Sequence, residues 1–172
     1  MSAKLRIFLL TASALLALVL GYLVAALTRP TPPLNQAAPN FSLDGEFNLV
    51  DETGKLVTQE SYTGKFKLVY FGFTFCPDVC PLQLEVVSRA LEIAKISPDW
   101  LTTLFITLDP ERDRPEDMAI YTDNFHKNII GLTGSLDQIQ QAAKAYKVYF
   151  QKVSDSETTG GYTVDHSSIV FL

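Results

Sequence analysis

A three-layer α/β sandwich is predicted for residues 41–172, with a parallel-centred sheet and helices on both faces. Three observations predict it. Short apolar strand-like runs alternate with segments whose apolar residues recur at helical spacing. Clusters of Gly, Pro, Ser and Asp punctuate the joins between them. After the N-terminal stretch about 130 residues remain, which suits one domain with its own core.

The elements follow in order. Phe47 to Val57 reads as a small hairpin turning at Glu52-Thr53-Gly54-Lys55, and Thr63-Gly64-Lys65 is a second turn. Lys67–Phe73 is an apolar run of the kind buried on both faces. Val86, Val87, Ala90, Leu91 and Ala94 give a helix over Leu82–Ile96, ended by Ser97-Pro98-Asp99. Leu101–Leu108 is a second buried strand. The loop Asp109–Pro115 leads to a helix over Glu116–Lys127, with Pro115 in its first turn. Ile129–Thr133 is a short strand. Ser135-Leu136-Asp137-Gln138 is a capping box opening a helix to about Lys147. Strands are predicted at Val148–Val153 and Ser168–Leu172, separated by a polar turn over Ser154–Gly161 and by Tyr162 through His166. Strand, loop, helix, strand, helix and a later strand pair is the thioredoxin-like arrangement, of the peroxiredoxin type. The chain closes on Ile169-Val170-Phe171-Leu172 without a capping turn, which predicts a further strand and helix missing from it.

Ile7 to Leu27 is 21 residues without a charge. At about 1.5 Å per residue it reaches across a hydrocarbon core of about 30 Å. Residues 1–28 are therefore expected to be an N-terminal transmembrane helix, and residues 29–40, with Pro30, Pro32, Pro33 and Pro39, a stiff linker. Lys4 and Arg6 precede the apolar run, so the positive-inside rule leaves the domain outside the cytoplasm. A cleaved signal peptide is the competing reading, although the run exceeds the usual apolar length of about 7–15 residues. No cysteine near residue 20 offers a lipid anchor. Beyond Arg29 stand 11 basic against 19 acidic residues, a net −8, which disfavours nucleic acid.

The only two cysteines, Cys76 and Cys80, lie four apart in Thr74-Phe75-Cys76-Pro77-Asp78-Val79-Cys80-Pro81, directly after the first buried strand. One helical turn brings positions i and i+4 within about 6 Å, close enough for a disulfide or for two sulfurs on one metal. Pro81 suits a first helical position, so the pair is placed at or just before a helix N-terminus, where free N–H groups favour thiolate. An inert structural disulfide is the bland alternative, but so local a bridge constrains little chain. Of the two histidines, His126 falls late on a helix and reads as surface. His166 enters the last strand, and in a thioredoxin topology that loop lies beside the cysteine loop. Ordinary thioredoxins have a cis-proline there; no proline occurs between Val148 and Leu172. Two thiolates and one imidazole form a soft set suited to Cu(I), and to Cu(II) with a further weak ligand. Zinc in a structural site would want a fourth ligand. Asp165 is a candidate acceptor for orienting the His166 ring.

Together the run Tyr70–Pro81, the loop Asp109-Pro110-Glu111-Arg112-Asp113 and Val164-Asp165-His166 resemble the Sco/SenC family of copper metallochaperones. The resemblance covers most of Phe41–Leu172. It implies copper held by Cys76, Cys80 and His166. It also implies a part in building the binuclear copper site of cytochrome c oxidase, as copper donor, as reductant of the subunit's cysteines, or both. The implied partners are the copper-bearing oxidase subunit, a thiol reductant and a copper donor. Without a mitochondrial transit peptide the chain is similar to bacterial members, which implies an inner-membrane protein with a periplasmic domain. Family members continue with a hairpin strand and a C-terminal helix and tend to carry a capping Thr or Ser where Arg114 stands, so a weaker start is expected for the helix after Pro115. The acidic 109–113 loop reads either as a partner contact or as a solvated loop. Three rivals stand: a metal-independent thiol–disulfide oxidoreductase, opposed by three residues between the cysteines and by the missing proline; a peroxiredoxin-like peroxidase, which needs an arginine beside the thiolate; and a purely structural or sensory membrane domain.

Overall fold

A computed structural model describes residues 14–22, 24, 45–156, 158 and 160–172, in two compact units divided between Phe41 and Ser42. In the first unit residues 14–22 are helical. Among the described residues no helix is long and apolar enough to cross a membrane. The rest of the span expected over Ile7–Leu27, and the expected linker over 29–40, lie almost wholly outside the described residues.

In the second unit, the expected hairpin forms from β1 (Asn48–Asp51) and β2 (Leu56–Thr58). Asp51 Oδ1 accepts from the Thr53 and Lys55 N–H groups, and Gly54 takes the left-handed conformation the turn requires. Strands β3 (Phe66–Gly72), β4 (Leu101–Thr107) and β5 (Ile129–Thr133) run parallel at the centre of the sheet. Their inner residues are buried on both faces, the polar ones among the buried residues being threonines. The six-stranded order is β2-β1-β5-β4-β3-β8, where β8 (Val170–Phe171) joins β3 antiparallel.

Strand alternation sends Tyr70 and Gly72 to one face and Phe71 to the other. On the first face Tyr70 stacks on Phe105, and Phe105 on Tyr121 of α2 (Pro115–Thr122). On this face too, Gly72 of β3 backs the Cys80 sulfur of α1 (Val79–Ala94). On the second, Phe71 packs on Tyr146, which follows α3 (Leu136–Ala145). The three-layer expectation holds.

Two boundaries, one helix cap and one strand pairing differ from the sequence reading. Helix α1 starts three residues earlier than expected, at Val79, so Cys80 and Pro81 both lie inside its first turn; Pro81 fits there because its missing N–H would have had no intrahelical acceptor. Helix α2 ends at Thr122, not Lys127, because the Asn124 amide donates to the carbonyls of Ile120 and Tyr121 and closes the last turn. At its start, Asp117 accepts from the Arg114 backbone N–H and pairs with the Arg114 side chain, so the helix is capped from inside despite the missing Ser or Thr. Finally, β6 (Phe150–Ser154) and β7 (Tyr162–His166) pair only with each other, as a separate two-stranded sheet. Gln151, Lys152, Val153 and Ser154 are all exposed, so β6 has no buried face to drive it into the main sheet.

Candidate metal centre

Cys76 lies in the loop between β3 and α1, and Cys80 in the first turn of α1. The loop is pinned by a buried carboxylate. Asp113 Oδ2 accepts from the Thr74 N–H at 3.0 Å and from the Thr107 hydroxyl at 2.6 Å, and Oδ1 accepts from the Thr74 hydroxyl at 2.5 Å. Burial raises the Asp113 carboxyl above its ordinary value while these donors pull it down.

Both cysteines are free thiols, Cys80 wholly buried and Cys76 half-buried. The Cys80 N–H donates to Cys76 Sγ across 3.4 Å. Cys76 is held far below the ordinary thiol range, first by the Cys80 thiol, then by His166 and by the backbone N–H groups of Cys80 and Asp78, against the opposing effect of burial. Cys80 is pushed up, by that same hydrogen bond to Cys76 and by burial. The two shifts run in opposite directions, so of the pair Cys76 is the sulfur that more readily carries the negative charge.

His166 ends β7, and its Nε2 stands 3.7 Å from Cys80 Sγ, from 86 residues away in the chain. Its Nδ1 faces the Ser167 carbonyl at 3.1 Å, and its ring meets Phe73 edge-on at 6.0 Å between centroids. With Nδ1 turned to that carbonyl, Nε2 is the ring nitrogen that faces the sulfur. The acceptor for the ring is therefore the Ser167 carbonyl; Asp165, expected in that role, is exposed on the other side of the strand. His126 lies beyond α2 in a turn, half-buried, where its Nδ1 accepts from the Asn128 N–H.

Among the described residues no three Cys, His, Asp or Glu side chains converge as a preformed metal cage. The donor chemistry nevertheless fits a soft ion. One ion bonded to sulfur and to imidazole nitrogen at typical lengths spans a sulfur–nitrogen separation of roughly 3.5–3.8 Å, which the 3.7 Å between Cys80 and His166 matches.

Sequence reasoning missed three contributors. Gly72 backs the Cys80 sulfur: a Cβ there would stand 2.8 Å from Sγ and 2.8 Å from the Phe105 ring. The Tyr70 hydroxyl is buried beside the Cys80 sulfur, with no hydrogen bond of good geometry among the described residues, and its pKa is raised by burial and by that sulfur. The 109–113 loop is neither solvated nor free for a partner at its ends, since Asp109 and Asp113 are buried. Two acidic residues flanking an arginine, just past a strand end, were the available signal.

A family profile described as SCO1/SenC matches residues 35–172. The protein sco1 of Schizosaccharomyces pombe is 42% identical over 132 residues, covering 76% of this chain and 50% of that one. The copper-bound structure of Arabidopsis thaliana ScoI superposes with a TM-score of 0.70 at 38% identity, covering 76% of this chain and 80% of that one. Copper-bound Bradyrhizobium japonicum ScoI gives a TM-score of 0.70 at 39% identity, covering 75% and 81%. The chain spans about half the length of the curated yeast relatives it matches.

Proposed function

We propose that this chain, which belongs to the SCO1/SenC family, binds one copper ion through Cys76, Cys80 and His166 and acts as a copper metallochaperone rather than an enzyme. The observation that carries the reading is the approach of His166 Nε2 to Cys80 Sγ, between residues far apart in sequence. The copper-bound relatives support the choice of metal. Copper is the cargo. Cys76, whose thiol is held below its ordinary range, and Cys80 would bind as thiolates, giving up their protons on ligation, and His166 would bind through Nε2 while Nδ1 faces the Ser167 carbonyl. Oxidation of the pair to a disulfide passes two electrons to an oxidant such as a disulfide of a target protein, releases whatever proton the two sulfurs still carry, and removes both sulfur donors, so the redox state of the pair governs loading.

The physiological task, by resemblance to the family, is assembly of the binuclear copper site of cytochrome c oxidase. The partner is the copper-bearing oxidase subunit, served by a separate copper donor and thiol reductant. The apolar run Ile7–Leu27 supports a single-pass anchor in the inner membrane, with the domain on the periplasmic side. A second reading draws on the asymmetry of the thiols: a half-exposed Cys76 thiolate can attack a target disulfide, and Cys80 can then resolve the mixed disulfide, leaving the target reduced and this pair oxidised. A peroxidase has less support, because Arg112 is paired with Asp109.

Titration of the reduced protein with Cu(I) in the presence of a competing chelator tests the main reading. One ion per chain is expected, with affinity falling more than about 100-fold in Cys76→Ser or Cys80→Ser and about 10-fold in His166→Ala. Equal affinity in all four proteins would leave only the dithiol chemistry.

A further inference from the structure

The hairpin that carries His166 shares no strand pairing with the main sheet. Its position against the cysteine loop comes from the short link between His166 and β8, which pairs with β3, from the buried Val164 and from side chains, of which Arg112 reaches both the hairpin and the loop. The Arg112 guanidinium lies between two rings, 4.6 Å from the centroid of Phe75 and 3.9 Å from that of Tyr162. Phe75 directly precedes Cys76, and Tyr162 opens the strand that ends at His166. Arg112 Nε pairs with Asp109, and Nη1 donates to the Tyr162 carbonyl at 3.4 Å. Asp109 Oδ1 in turn accepts from the Tyr162 hydroxyl at 2.9 Å. The Arg112 side chain is 14% exposed and that of Asp109 1%, so this is a largely desolvated pair and not a screened surface contact. A planar guanidinium can stack on two rings and keep its in-plane donors for a carboxylate and a carbonyl; an ammonium cannot.

We infer that Arg112 is a positioning residue that clamps Tyr162 to Phe75 and thereby holds the His166 ring against Cys80. The inference rests on the proposed ligand role of His166. The 109–113 segment is the splint: Asp113 fixes the cysteine loop through Thr74, and Arg112 with Asp109 fixes the hairpin through Tyr162. Arg112 touches neither sulfur nor imidazole in this arrangement; it acts through the two aromatic residues that flank them. The Lys152–Glu111 pair at the rim also joins hairpin and loop, but both side chains are well exposed and contribute little.

The test is a double-mutant cycle with a metal-free readout. Cu(I) affinity is measured for Arg112→Gln and Arg112→Lys, each with His166 present and in a His166→Ala background. With His166 present, Arg112→Gln is expected to weaken binding about 10-fold and Arg112→Lys nearly as much, the scale seen when a supporting partner of a metal ligand is lost. In the His166→Ala background the same changes are expected to cost less than about twofold. In the metal-free protein the nuclear Overhauser contact between the Phe73 and His166 rings is expected to disappear in Arg112→Gln and to persist in Glu111→Gln. Equal losses in both backgrounds, or a retained ring contact in Arg112→Gln, would overturn the assignment. If Arg112→Gln fails to fold in a urea titration, Tyr162→Leu takes its place, since it removes the clamp at the hairpin end and leaves the Arg112–Asp109 pair; the same pattern is required of it. If the wild-type protein binds no Cu(I), the proposed function fails, and the ring contact alone decides whether Arg112 positions the hairpin.

Discussion

Cys80 is wholly buried among the aromatic residues of the sheet face, while His166 ends a hairpin in which, among the described residues, only Val164 is buried. The sulfur side is built from core: Gly72 beneath, Phe73 beside, and a carboxylate with three donors pinning the loop. The imidazole side is built from a half-exposed hairpin held by the arginine–aromatic cluster, by the buried Val164 and by the short link to β8. The difference separates two jobs. Desolvation and the core surround the thiols, whereas the imidazole stands on a hairpin with fewer buried anchors. A site proposed to take up and give away an ion is served by one side that can yield.

The sharpest way to break this contrast is through thiol reactivity. With Cys76 depressed to about 4 and Cys80 pushed above the ordinary thiol value, iodoacetamide at neutral pH is expected to modify Cys76 more than about 100-fold faster than Cys80. The sign follows from the depression: the Cys76 rate stays on its plateau as the pH falls from 8 and declines only toward about pH 4. Peptide mapping of the alkylated protein checks both statements, and comparable labelling of the two thiols would refute them.

Stability separates the two regions next. Gly72→Ala places a methyl group 2.8 Å from the Cys80 sulfur and from the Phe105 ring, so overpacking is expected to cost about 1–3 kcal/mol in urea unfolding. His166→Ala removes a half-buried ring from the hairpin and is expected to change stability by less than about 0.5 kcal/mol in the same assay. A His166→Ala loss as large as that of Gly72→Ala would mean that the hairpin is as integral to the fold as the sheet.

Much of this was legible in the chain itself. The apolar runs of β3 and β4 and the capping box at Ser135 announced their elements because burial on both faces and helix capping leave local marks. The Cys76–Cys80 spacing and the strand before it announced a thiol pair near a helix start, and the missing proline marked His166. The exact entry of Cys80 into α1 was not legible, because Pro81 is acceptable at several positions of a first turn. Nor was the end of α2, which depends on the Asn124 amide folding back on two carbonyls rather than on hydrophobic period. The 109–113 loop read as a charged surface segment, since nothing local tells that Asp113 will meet Thr74, 39 residues away, or that Arg112 will meet Phe75 and Tyr162.

Composition, periodicity and spacing thus determined the layer architecture, the sulfur pair and the histidine to watch, because each is written in residues close together along the chain. The separation of β6 and β7 from the main sheet, the placement of Gly72 and Tyr70 beside Cys80, and the arginine that joins the loop to the hairpin were decided only on folding. Those contacts pair residues tens of positions apart, and their energies come from exclusion of water and from ring and carboxylate geometry that exists only once the core has closed.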